Sequence, residues 1–283
     1  MPSTFAHYLF GKRMLGLCPA EVSEAALARR ELYDIGLHGP DLLFYYKPLG
    51  TNAVNRIGFA MHGKPARDFF VPARRVAAES ADPVGARAYL FGFLCHFSLD
   101  AACHSYIENK IRLSGVPHTV IESEFDRFLL EREGKDPLSA RLTRHIVPSE
   151  ANARVVAPFF GVTEKQAAKA LRSMIFYNDL LRAPHAPKRA LVNLVLRFSG
   201  NYREMHGMMI AKRPVPACAD SDLRLEKLFE KALPQCAQRM REYVAWLDGA
   251  GELPAAFDAA FGPAPGWQNI PVLGVGEEKH YEV

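Results

Sequence analysis

Residues 92–104 read GFLCHFSLDAACH, an apolar run in which His96, Asp100 and His104 recur at every fourth position. On a helix of about 3.6 residues per turn, steps of four drift by only about 40°, so the three side chains share one stripe. Tyr89, Leu90, Phe91, Phe93, Leu94, Phe97 and Leu99 surround that stripe. A helix that is apolar on nearly every side belongs in the middle of a helical protein, and an ionised aspartate there needs a positive neighbour. Two readings follow from this stretch alone. Asp100 is hydrogen-bonded to its histidines in a satisfied structural cluster, or the three side chains hold a cation.

The rest of the chain sets the frame for that stripe. Its 283 residues are 49% hydrophobic and 23% charged, a composition typical of a soluble globular protein. A formal charge of +4, scattered along the chain, is too small to argue for nucleic acid. Five cysteines at irregular spacing, without a C-x-x-C, fit neither a disulfide framework nor a thiolate zinc site. No window approaches the roughly 20 apolar residues of a membrane span, and the opening MPSTFAHYLFGKRM does not read as a signal peptide, so a cytoplasmic location is expected.

Helical periodicity dominates, and alternating strand-like runs are nearly absent. Helices are predicted over 2–15, 19–37, 82–112, 119–133, 136–146, 163–183, 188–198 and 222–250, the last kinked at Pro234. Residues 38–52 (HGPDLLFYYKPLGTN) are predicted as a loop, and SGVPH (114–118) as a sharp break between two helices. The expectation is an all-α domain over 1–262, with its metal-binding half in 1–135 and a helical C-terminal extension behind it. An irregular tail over 263–283 either packs along the surface or frays.

A second His and carboxylate pair at the same spacing, His118-x-x-x-Glu122, follows on the next helix. Two neighbouring helices that both aim imidazole and carboxylate inward are what a multinuclear metal site requires. Glu122 has an alternative role, because Thr119-x-x-Glu122 is also a capping box. His7 and His62, taken singly, read as ordinary surface or core histidines.

In type and order, His7, Asp41, His62, His96-x-x-x-Asp100, His104 and His118-x-x-x-Glu122 resemble the zinc-dependent phospholipase C family and its fold relatives, the S1/P1-type single-strand nucleases. The resemblance covers residues 7–122. It implies a multi-helix phospholipase C/P1 nuclease-like fold and two or three Zn2+ ions. By matching position, His62, His96 and Asp100, with Asp41 close by, would hold one ion, and His104, His118 and Glu122 a second. His7 and a bridging Asp100 would hold a third, together with the N-terminal amine, which removal of Met1 would place on Pro2. Asp41 is the implied catalytic residue, orienting or deprotonating the attacking water. In the family the second histidine follows the bridging aspartate by six residues; here His104 follows Asp100 by four.

Asp34 and Asp126 are the nearest acidic residues in sequence to accept the remaining imidazole N–H groups. His38, four residues after Asp34 and close to Asp41, either supports a metal ligand, faces substrate or is a loop histidine, the last being favoured, and His145, His185, His206 and His280 carry no partner pattern. The aromatic clusters Phe44-Tyr45-Tyr46 and Phe69-Phe70 are either pocket walls or core. The function implied is a zinc-dependent phosphodiester hydrolase of phospholipase C type, acting on a glycerophospholipid or related phosphodiester and making peripheral membrane contact. A single-strand nuclease or 3′-nucleotidase on the same scaffold and a non-catalytic helical zinc-binding protein remain open. The absence of a basic stripe with interleaved aromatics makes nucleic acid the less favoured partner. Oligomeric state is not legible.

Overall fold

A computed structural model of the chain describes residues 4–198, 200 and 202–283, apart from the side chains of 203 and 204. Thirteen α-helices are present among the described residues: α1 (Thr4–Met14), α2 (Ala20–Ala28), α3 (Arg30–Gly36), α4 (Ala53–His62), α5 (Arg67–Ala78), α6 (Pro83–Ser114), α7 (His118–Arg132), α8 (Glu150–Phe160), α9 (Glu164–Leu181), α10 (Ala186–Phe198), α11 (Tyr202–Met205), α12 (Ala219–Leu247) and α13 (Val275–Glu278). One isolated bridge, Pro65 to Ala260, is the sole β-type pairing among them. The protein is all-α.

The stripe helix α6 is the axis of the fold. It begins at Pro83 behind Asp82, whose carboxylate accepts the Gly85 N–H at 3.0 Å, and it ends on Gly115 in the left-handed region at φ 70°. Helices α1, α2, α3, α5, α7, α8 and α12 all pack against it. Its closest neighbour is α3, and glycines permit the approach. A Cβ at Gly92 would lie 2.1 Å from the Tyr33 carbonyl, and one at Gly36 would lie 2.2 Å from the Tyr89 carbonyl.

Several expected elements differ. The predicted helix 19–37 is two helices, because Arg29 leaves helical geometry (φ −131°, ψ 53°) and its guanidinium ties to Asp82 at 2.9 Å. The turn at Arg29 lets α3 lie along α6. Residues 136–146 form separate turns rather than a helix, closed by Ala140 N–H to Asp136 and Ile146 N–H to Thr143. His145 is drawn inward to a partner described below. The expected loop 38–52 contains a 3₁₀ helix at Gly39–Tyr45. Helices α4, α5 and α8 were not expected. The first two carry Gly58 and Pro72 inside them, which mask the period, and α4 depends on a capping box between Asn52 and Asn55. Helix α12 runs on through Pro234.

Residues 263–283 pack against the domain. Ala264 N–H donates to Ser105 Oγ at 2.9 Å, Asn109 donates to the Ile270 carbonyl at 2.7 Å, and the buried Glu278 receives a two-pronged Arg224 guanidinium at 2.9 and 2.7 Å. The tail is thereby fixed across α6 and α12.

One buried carboxyl nearby predicts a pH effect. Asp222, in the first turn of α12, has an Oδ1 with no hydrogen bond, and burial, then the charge of Glu124, push its pKa up to about 8. A folded value above the unfolded one favours the protonated form, so its contribution to stability is complete below about pH 4 and is lost as pH rises through 8. Asp222→Asn is expected to raise the melting temperature above pH 8 by a few degrees, about 1–2 kcal/mol, and to leave it unchanged near pH 4. Thermal melts at the two pH values check this, and equal effects at both would refute it.

Candidate metal centre

All eight ligand-type residues singled out by the sequence meet around α6. His96, Asp100 and His104 line its inner stripe. His7 is presented by α1, Asp41 by the 3₁₀ segment, His62 by the last turn of α4, and His118 and Glu122 by α7. Helix α1 is anchored at this end by Asp126, which accepts the Phe5 and Ala6 backbone N–H groups at 3.0 and 2.8 Å. Gly39 admits the 3₁₀ segment at φ 47°, and a Cβ there would sit 2.3 Å from the His96 ring. Glycine at 39 is therefore what lets Asp41 reach the stripe.

The donor atoms are closely spaced. His96 Nε2 lies 3.1 Å from Asp100 Oδ2, and His62 Nε2 lies 3.7 Å from that oxygen and 3.1 Å from Asp41 Oδ1. The other Asp100 oxygen is 3.2 Å from His7 Nε2. Glu122 Oε1 is 3.0 Å from His118 Nε2 and 3.7 Å from His104 Nε2. Three groups have ligand atoms within 4.8 Å of one another: Asp41, His62 and His96; His7, His96 and Asp100; His104, His118 and Glu122. The capping-box role for Glu122 is not adopted, since α7 begins behind Pro117 with no side-chain cap and Glu122 faces the histidines.

The other ring nitrogens show how the imidazoles are held. Nδ1 of His62 faces the Gly58 carbonyl at 2.8 Å, Nδ1 of His96 the Leu37 carbonyl at 3.3 Å, and Nδ1 of His104 the Phe261 carbonyl at 2.6 Å. A carbonyl can only accept, so each Nδ1 carries a proton and each Nε2 is the atom turned toward the carboxylates. Nε2 of His62, His96 and His118 finds no hydrogen bond of acceptable geometry, and Asp100 Oδ2 accepts none. Ring nitrogens held 3.1 Å from anionic carboxylate oxygens are attracted to them only when a positive charge, a proton or a bound cation, lies between.

The electrostatics have the same origin. Burial alone would raise the carboxyls, but His96, His104 and His7 hold Asp100, His118 and His104 hold Glu122, and His62 and His96 are among the charges that hold Asp41, all below the usual carboxylate range. All three are anionic at neutral pH. Burial opposes charge on His104, yet Asp100 and Glu122 lift it to about 9, and Asp100 likewise raises His96. His7 goes down, through burial and the neighbouring His96, and is neutral.

One expected acceptor fails, one of the two aromatic readings is settled for Phe69 and Phe70, and one unexpected residue enters. Asp34 is held by Arg30 at 2.7 Å instead of by an imidazole, and the orienting acceptors are the backbone carbonyls above. Phe69 and Phe70 are core, with Phe69 stacked on Phe93 at 3.8 Å, whereas Phe44 lies beside the site with its ring centre 5.3 Å from that of His62. His38, weighed as a supporting residue or a loop histidine, and His145, expected to be ordinary, touch through Nε2 at 2.7 Å, with Tyr8 stacked on His145. Burial, then His145, pushes His38 far below its usual value, and burial takes His145 to about 3, so this neutral pair backs the segment that bears Asp41. The sequence signals for it were His38 lying four residues after Asp34 and three before Asp41. Pro2 lies outside the described residues.

His62 and His118 are the partly exposed ligands, so the centre opens between α4 and α7. Beside it a groove of about 310 Å³ is lined by Phe44, Leu49, Phe59, Tyr177, Met205 and Met208. No protein-family model, curated protein or solved structure matches this chain.

Proposed function

We propose that this chain is a zinc-dependent phosphodiester hydrolase of phospholipase C type, with the phospholipase C/P1 nuclease-like arrangement of helices. The observation that carries this reading is the set of Nε2 atoms tied in place by backbone carbonyls and converging on anionic carboxylates. Tetrahedral zinc with nitrogen and oxygen ligands spaces them roughly 3.3–3.6 Å apart. The separations of 3.0 to 3.7 Å among these donors suit that ion. Imidazole and carboxylate together also favour zinc over magnesium or calcium, which prefer all-oxygen sites.

In this reading His62, His96, Asp100 and Asp41 hold one ion, His104, His118 and Glu122 a second, and His7 with the second oxygen of Asp100 supplies part of a third site. Bound zinc supplies Lewis acidity toward the phosphoryl oxygens and makes a water acidic enough to attack at neutral pH. Asp41, anionic and fixed by the 3₁₀ segment, orients that water and accepts its proton. The histidine ligands keep their orientation through Gly58, Leu37 and Phe261. The apolar groove beside His62 suits the acyl portion of a phospholipid better than a charged strand.

The test is metal analysis of purified protein together with turnover on phosphatidylcholine, single-stranded DNA and a water-soluble chromogenic phosphodiester. Two or three zinc ions per chain and release of diacylglycerol are expected. Faster cleavage of single-stranded DNA would move the assignment to the nuclease branch, and inactivity of the zinc-loaded protein on all three would overturn hydrolysis.

A further inference from the structure

Helix α10 has an apolar face too many. Val192 and Leu196 pack inward with Leu181, Ala183, Met205 and Met209. Yet Leu191, Leu194, Val195 and Phe198 are 61%, 51%, 54% and 84% exposed. Positions 191, 194, 195 and 198 follow the i, i+3, i+4, i+7 spacing of a single helical face. A contiguous strip of aliphatic and aromatic side chains in water, opposite a face that already satisfies the fold, marks an interaction surface.

The charge around it identifies the partner. Residues 182–213 contain seven Lys and Arg against the single Glu204, a net +6, whereas the whole chain carries +4, so everything outside this segment is net −2. Helix α10 has no acidic residue. On the helix itself Lys188 reaches back to the Asp179 and Arg182 carbonyls, Arg189 to the Ile210 carbonyl, and Arg197 over the Tyr202 ring, so the excess positive charge belongs to the segment as a whole. An apolar strip carried on a segment of strong net positive charge is the pattern of a helix lying in the interface of an anionic bilayer. At 13 residues, about 20 Å, it is too short to span a bilayer, and no helix among the described residues is long and apolar enough to cross one.

We propose that the outer face of α10 docks the protein on anionic phospholipid surfaces. The inner side of the same helix packs on Met205, which with Met208 and Tyr177 lines the groove leading past Phe44 to His62. Leu49 and Phe59, both substantially exposed, stand on that groove. A docked α10 therefore places the groove next to the lipid. The docking stands on α10 itself; that it delivers substrate rests on the phospholipase reading above.

Vesicle co-sedimentation tests it, with phosphatidylcholine vesicles that do or do not contain phosphatidylglycerol. The wild type is expected to bind the anionic vesicles at least about tenfold more tightly, and less tightly as salt rises. Leu194→Ser combined with Phe198→Ser is expected to lower that binding by about tenfold or more. Both positions are exposed, so the melting temperature, zinc content and turnover of a soluble chromogenic diester should match the wild type. Absence of wild-type binding to anionic vesicles, or equal binding by the double variant, overturns the proposal. So does a dimer in sedimentation velocity that the double variant converts to monomer, because the face then belongs to a second copy. If the hydrolase reading is the one at fault, vesicle binding and its loss in the variant persist without turnover.

Discussion

Stripping the protein of zinc with a chelator is expected to lower its melting temperature by about 10 °C or more and to abolish turnover, with both restored by added zinc. An ion present at about a thousand times its dissociation constant contributes about 4 kcal/mol, and a chain of this size loses a few degrees per kcal/mol. His96→Ala should remove the ion shared by His62 and Asp100 permanently, because its Nε2 stands 3.1 Å from Asp100 Oδ2 at the centre of the cluster. That variant should melt like the chelated wild type or below it, since it also opens a gap in the core. A wild type that carries no transition metal and melts identically with and without chelator would eliminate the metal centre.

The stabilisation by zinc should also depend on pH, in a direction fixed by the same charges. Without the ion, His96 and His104 have folded-state values raised by Asp100 and Glu122, to about 9 for His104. Their contribution to the metal-free protein is full below about pH 6.5 and is lost as pH rises through 9. In the loaded protein the ion takes the place of those protons, so the loss does not occur. The gap between loaded and stripped melting temperatures is therefore expected to widen from pH 6 to pH 9. A gap that narrows would mean that the histidines are not ligands.

The parts legible in sequence were those whose signal is periodic. Steps of four along α6 and α7 placed His96, Asp100, His104, His118 and Glu122 on facing stripes, and the structure brings their donor atoms together. The all-helical class followed from the same periodicity. What escaped was fixed by backbone and by distance along the chain. The carbonyls of Leu37, Gly58 and Phe261 orient three imidazoles, and a carbonyl leaves no mark in a sequence. Phe261 comes to His104 from 157 residues away, because a tail rich in glycine and proline is laid back across α6. His38 and His145 are 107 residues apart and meet only because the segment after α7 forms turns instead of a helix. Helix α4, which carries His62, is held by its cap and its packing more than by a strong apolar period, so His62 could be named but not placed.

Asp41→Asn is expected to lower turnover of a chromogenic phosphodiester by roughly 10²-fold or more while bound zinc changes little, a loss of about 2.7 kcal/mol in transition-state stabilisation. The substitution keeps the size and shape of the side chain on the 3₁₀ segment, so Gly39 and the His38–His145 pair stay in register behind it. It removes the negative charge that His62 faces at 3.1 Å. If Asp41 serves as base, the amide cannot accept the proton and kcat falls at constant metal content. If instead Asp41 only ligates, the ion should leave with the charge, and rate and zinc should fall together and recover together at high zinc. His62, His96 and Asp100 still offer three donors when Asp41 is neutral, enough to retain zinc. The two outcomes separate in one titration of rate against zinc: a rate that stays low at saturating metal assigns Asp41 to proton transfer, and a rate that returns to the wild-type value removes it from that role.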